Sequence, residues 1–132
     1  MPEFSGFSHI ALTVSDLERS KQWYSEVLGW QTMMEATDEH QIRFAFGLLP
    51  GGVGLGLRQH PRGSNDAFSP ERTGLDHASF AVSSREDLVS WEAHLAAKGA
   101  TCSLVVDAPY GSVLSFKDPD GIALEAFAFP AG

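Results

Sequence analysis

The sequence predicts an α+β fold of two tandem βαβββ modules that together form a cupped mixed sheet. Three observations predict it. A segment near the N-terminus recurs 68 residues later, from His9 to His77. In both copies an alternating, strand-like pattern gives way to helical periodicity at a serine. Both copies then return to short apolar runs punctuated by glycine and proline.

The recurrence pairs Gly6-Phe7-Ser8-His9-Ile10-Ala11-Leu12-Thr13-Val14-Ser15 with Gly74-Leu75-Asp76-His77-Ala78-Ser79-Phe80-Ala81-Val82-Ser83. The same offset pairs Glu18 with Glu86 and Trp23 with Trp91. In the first copy Ile10, Leu12 and Val14 point one way and His9, Ala11 and Thr13 the other, as in a strand with one face on a core. Ser15-x-x-Glu18 and Ser83-x-x-Glu86 read as capping boxes, whose side chains satisfy the free N–H groups of a helix start. Leu17, Tyr24, Val27 and Leu28, and then Leu88, Trp91 and Leu95, form the apolar stripes of the two helices. Gly29 and Gly99 stop them.

Strands are predicted at 31–36, 41–48 and 53–59, and again at 101–107, 113–117 and 122–129. Pro50-Gly51-Gly52, Pro109-Tyr110-Gly111 and Asp118-Pro119-Asp120-Gly121 supply turns. The whole chain, 1–132, is thus expected to be one domain: a first module over 6–59, a linker over 60–73 and a second module over 74–129. The glycines between Gly47 and Gly56 precede a strand, not a helix, which argues for a hairpin and against a phosphate loop.

Composition narrows the partners. The formal net charge of −8 repels phosphate backbones and anionic lipid, so neither nucleic acid nor membrane is expected. No basic leader with a long apolar segment opens the chain, and the lone Cys102 suits a reducing compartment; a cytoplasmic location is the expectation. Cys102 itself reads as a small core residue.

Three residues carry the chemistry. His9 and His77 hold the same place in the two repeats, on the strand face away from the helix and beside small neighbours. Glu125 stands in the apolar strand Ala123-Leu124-Glu125-Ala126-Phe127, where a carboxylate requires a partner, a proton or a metal. Two imidazoles and one carboxylate make a facial triad, which leaves open positions on Fe, Mn, Zn, Ni or Co. His40 and His60 fall in polar loops and read as surface residues; His94 reads as a helix packing or solvated residue.

At these residues the sequence resembles the vicinal oxygen chelate superfamily of glyoxalases, bleomycin-resistance proteins and dioxygenases. The likeness lies in Phe7-x-His9-Ile10-x-Leu12-x-Val14-x-Asp16-Leu17-x-x-Ser20-x-x-Trp23-Tyr24-x-x-Val27-Leu28-Gly29-Trp30 and in Phe116-x-Asp118-Pro119-Asp120-Gly121-x-x-Leu124-Glu125. The resemblance implies one divalent ion per site, held by His9, His77 and Glu125. A fourth family position falls on Gly56, which has no side chain to donate, so the resemblance points to relatives with three protein ligands. Fosfomycin transferases of that kind carry threonine where this chain has Ala11.

The implied activity is a metal-dependent lyase, isomerase, thiol transferase or dioxygenase acting on a small molecule chelated through neighbouring oxygens. The alternative is a metal-free protein that sequesters a drug or natural product. Glu125, Tyr110 and Arg58 are the expected catalytic groups, with Arg43 a further cation for the substrate. The resemblance also implies a homodimer with its sites at the interface.

Overall fold

The computed structural model describes residues 1–131 and divides into two compact units, Met1–Asn65 and Asp66 onward. Each unit is one βαβββ module. Unit 1 comprises β1 (His9–Thr13), α1 (Leu17–Leu28), β2 (Gln31–Thr37), β3 (Arg43–Leu49) and β4 (Val53–Gln59). Unit 2 comprises β5 (Ala78–Ala81), α2 (Arg85–Ala97), β6 (Val106–Ala108), β7 (Gly111–Lys117) and β8 (Ala123–Ala128). Their sheets run β1-β4-β3-β2 and β5-β8-β7-β6. In each, the first strand lies parallel to the last and the others are antiparallel. The helix carries the chain from the first strand across the sheet to the second, at the far edge.

Strand parity decides what faces what. Leu12 of β1, Val14 just after it, and Leu55 and Leu57 of β4 are buried with Leu17, Tyr24 and Val27 of α1. In unit 2, Leu88 and Leu95 of α2 are buried, as are Leu114, Phe116 and Leu124 of the sheet. Burying each such side chain contributes roughly 1.5–3 kcal/mol. The opposite face of β1, bearing His9, Ala11 and Thr13, is left open. Trp30, also buried, donates its indole N–H to the Leu55 carbonyl at 3.0 Å and so pins the chain after α1 against β4. Neither helix is long and apolar enough to cross a membrane.

The helix caps sit one residue later than the sequence motif suggested. Asp16, not Ser15, caps α1 by accepting from the Arg19 N–H. Ser84 caps α2 and exchanges reciprocal hydrogen bonds with Asp87, so the box is Ser84-x-x-Asp87 and not Ser83-x-x-Glu86. Adjacent polar residues at both helix starts offered two registers, and local sequence alone did not choose between them.

Three strands are shorter than expected; β8 loses one residue at each end, covering Ala123–Ala128. β3 begins at Arg43 because Asp38–Ile42 closes a turn in which Gln41 adopts φ 62°. The 101–107 segment pairs regularly only over Val106–Ala108, with one isolated bridge from Cys102 to Phe116. Side chains take backbone donors there: Ser115 N–H donates to Ser103 Oγ at 3.1 Å, and Val105 N–H to Glu92 Oε2 at 2.9 Å. Phe68 N–H donates to the Asp120 carbonyl at 3.2 Å, tying the later part of the 60–73 segment to unit 2.

Candidate metal centre

In unit 2, β8 lies between β5 and β7, and Glu125 pairs with Ser79 on one side and Ser115 on the other. His77 directly precedes β5. Its Nε2 lies 3.3 Å from Glu125 Oε1, and its Nδ1 2.6 Å from Asp76 Oδ1. The Asp76 hydrogen bond raises the His77 pKa above its ordinary value; burial opposes this, and the nearby Glu125 carboxylate adds to it. A cavity of about 440 Å³ adjoins the pair, with Lys117, Ser115, Thr101 and Asp76 also on its wall.

The pair fits a metal. Ligands about 2.1 Å from an ion stand roughly 3.0–3.4 Å from each other at octahedral or tetrahedral angles. The His77–Glu125 separation of 3.3 Å is such an edge. Anchoring Nδ1 on a carboxylate directs the Nε2 lone pair outward, the usual support for a metal-bound imidazole.

In unit 1, His9 stands on the open face of β1, its Nδ1 2.9 Å from Ser8 Oγ and its ring edge-on to Phe46 at 5.5 Å. Gly54 lies opposite it in β4, where a Cβ would fall 2.9 Å from His9 Cβ. Ser8 and Asp76 are therefore repeat partners that occupy the Nδ1 side of each histidine. The signal was in the sequence, because a polar residue directly precedes both histidines, but one-residue neighbours in an extended chain normally point apart.

The structure brings His77 and Glu125 together and places His9 on the corresponding face of the other unit. Among the described residues, no cluster of three imidazole, thiolate or carboxylate donors forms within either unit. Tyr110 is exposed and stacks on Phe127 at 6.4 Å, two residues along the Glu125 face of β8. Arg58 shares the face of Gly54 and Gly56, but its guanidinium is 3.6 Å from Asp38 and lies over the Phe44 ring. Arg43 is corrected: its parity is that of buried Ala45, and it pairs with Glu18 of α1 at 2.9 Å, away from the open face. Cys102 is half-buried, and burial pushes its thiol pKa up.

Two βαβββ units, each with a histidine at or just before the start of its first strand and one with a facing glutamate, define the class of modular α+β protein to which the chain belongs. The chain belongs to the Glyoxalase/Bleomycin resistance protein/Dioxygenase superfamily, which it matches over residues 6–126. It is similar to the glyoxalase/bleomycin resistance protein/dioxygenase domain from Frankia sp. EAN1pec, at 43% identity and a TM-score of 0.90, covering 96% of this chain and 99% of that one. It is 33% identical to protein YwkD of Bacillus subtilis, over 90% of this chain and 93% of that protein. The fosfomycin resistance protein FosX of Listeria monocytogenes, solved with Mn(II) and sulfate, shares the fold at 21% identity and a TM-score of 0.70, covering 96% of this chain and 93% of that one.

Proposed function

We propose that the chain is a divalent-metal-dependent enzyme that acts on a small molecule bound through two neighbouring oxygens. One observation carries the reading: His77 Nε2 and Glu125 Oε1 lie 3.3 Å apart while Asp76 holds the far side of the imidazole. Mn(II) in FosX, on the same fold, supports it. His9, His77 and Glu125 are the protein ligands, and the absence of a side chain at Gly56 leaves room for substrate oxygens. When bound, the metal supplies Lewis-acid polarisation of those oxygens.

The remaining roles belong to side chains around the pair. Asp76 fixes the tautomer and aim of His77. Lys117 and Ser115, on the cavity wall, offer a cation and a hydroxyl to the substrate. The Tyr110–Phe127 stack walls one end of the Glu125 face and can limit water entry. In the homodimer, His9 of one chain would complete the site of His77 and Glu125 in the other.

The test is turnover. Protein stripped of metal should be inactive across assays of oxygen uptake, thiol addition and isomerisation. Adding Mn, Fe, Zn, Ni or Co should restore one of these activities, and Glu125→Gln should not recover it. Ligand binding that is unchanged by stripping, with no turnover under any metal, would instead assign a metal-free sequestering protein.

A further inference from the structure

Unit 1 contains a second concavity, formed by the β2–β3 turn and the turn that follows β4. It has a volume of about 860 Å³, and Thr13, His40, Gln41, His60, Arg62 and Gly63 stand on its wall. Both turns are tightly bonded. Gly63 N–H donates to the His60 carbonyl at 3.1 Å. In the other turn, Asp38 Oδ1 accepts from the N–H groups of His40 and Ile42 at 2.8 and 3.0 Å, and Gln41 N–H donates to the Asp38 carbonyl at 3.0 Å.

The same turn recurs at Asp118–Ile122, where Asp118 accepts from Asp120 and Ile122 and its carbonyl accepts from Gly121. There the fourth residue is glycine at φ 78°; in the first turn it is Gln41 at φ 62°. Gln41 is the single non-glycine residue of positive φ among the described residues. Holding a glutamine there costs on the order of 1 kcal/mol, and such strain concentrates at functional sites.

The charge on this wall runs against that of the chain. The protein carries −8 overall, yet no carboxylate lines the cavity. Asp38 is committed to two backbone N–H groups and to Arg58. Glu39, 3.6 Å from His40 Nε2, extends into solvent with 86% of its side chain exposed. The other arginines of unit 1 have polar partners: Arg19 with Ser15, Arg43 with Glu18 and Arg58 with Asp38. Arg62 has none.

We propose that this cavity binds an oxyanion group of a small molecule, phosphoryl or carboxylate, through the Arg62 guanidinium, imidazole N–H groups of His40 and His60, and the Gln41 side-chain amide. Guanidinium and imidazole donors make charge-assisted bonds to such groups. Thr13, on the cavity wall, shares the open face of β1 with His9, about 13 Å along the strand. The proposal needs no metal, and its failure would leave the metal reading intact.

The experiment is an NMR titration of metal-stripped, full-length protein at fixed pH, following histidine ring nitrogens and glutamine side-chain amides. Inorganic phosphate and malonate are each added against chloride at matched ionic strength. Saturable shifts are expected at His40, His60 and Gln41, with His94 on α2 unmoved. Whichever anion saturates identifies the group bound. Arg62→Met should weaken that affinity about tenfold. Gln41→Gly should weaken it as well while raising thermal stability, because the turn is kept and the strain relieved. Shifts no larger than those with chloride, or an affinity unchanged in Arg62→Met, would overturn the assignment.

Discussion

Gly56 in β4 and Glu125 in β8 occupy equivalent positions: Gly56 pairs with Ala11, Glu125 pairs with Ser79, and Ala11 and Ser79 are repeat partners. One sheet thus places a carboxylate where the other places no side chain. A Cβ at Gly56 would meet Ala11 Cβ at 3.4 Å, an ordinary contact, and the backbone there is not strained. Gly56→Glu is therefore expected to fold and to add a fourth ligand. Metal retention against a chelator should rise while substrate turnover or ligand binding falls. A variant matching the wild type in both would show that position 56 does not face the ion.

Asp76 should act on the metal through His77. Asp76→Asn is expected to lower metal affinity about 10- to 100-fold while leaving the unfolding midpoint of the metal-free protein nearly unchanged. Competition with a metallochromic chelator measures the first and urea unfolding the second. Unaltered affinity would mean that the 2.6 Å contact to Nδ1 does not orient the ligand.

The raised His77 pKa fixes the sign of the pH dependence. In the metal-free protein, the imidazolium's contacts with Asp76 and Glu125 contribute stability that is fully present below about 6.5 and is lost as pH rises through the higher folded value. Metal needs the neutral ring, so affinity should fall with falling pH, beginning above 6.5. In Asp76→Asn the onset should move down. Metal titrations between about pH 8 and 5.5 would reveal both; an affinity flat across that range would exclude His77 as a ligand.

Gly54 makes room for His9. A Cβ there would lie 2.9 Å from His9 Cβ and 3.1 Å from Phe46 Cζ, so Gly54→Ala must displace one of them. The expected cost is about 1–3 kcal/mol in urea unfolding, with a parallel loss of metal affinity as His9 moves. Loss of stability with metal affinity retained would remove His9 from the ligand set.

The dimer arrangement is open to complementation. His9→Ala and Glu125→Ala, each defective alone, are unfolded and refolded together. If each site takes His9 from one chain and Glu125 from the other, mixed dimers carry one intact site of two. With about half the dimers mixed, metal binding should return to roughly a quarter of wild type. No recovery, with mixed dimers confirmed by mass, would contradict the interchain arrangement and leave the ligands untouched.

Much of this was legible in the sequence, and the residues show why. His9 and Leu12 fall on opposite faces of β1 because one face of the sheet is covered by α1, which packs on β3 and β4, and the other is not, so parity alone placed His9 on the open face. Glu125 stood out because its neighbours are apolar. The helix caps slipped by one because Ser15-Asp16 and Ser83-Ser84 each present two competent oxygens in succession. β6 was overestimated because Val105 and Ser115 give their N–H groups to Glu92 and Ser103, distant in sequence. His60 read as a loop residue, and it is one; its place on a cavity wall depends on the β2–β3 turn lying beside it, which no local pattern encodes.

The central claim is that His9, His77 and Glu125 hold one divalent ion. Its most direct test is metal content by mass spectrometry, on protein purified without chelator, for the wild type and His9→Ala, His77→Ala and Glu125→Ala. The account predicts close to one ion per chain in the wild type and loss of most of it in each variant, with circular dichroism unchanged. Metal content equal to wild type in His77→Ala, or no bound metal in the wild type after incubation with any of the five candidate ions, would contradict it.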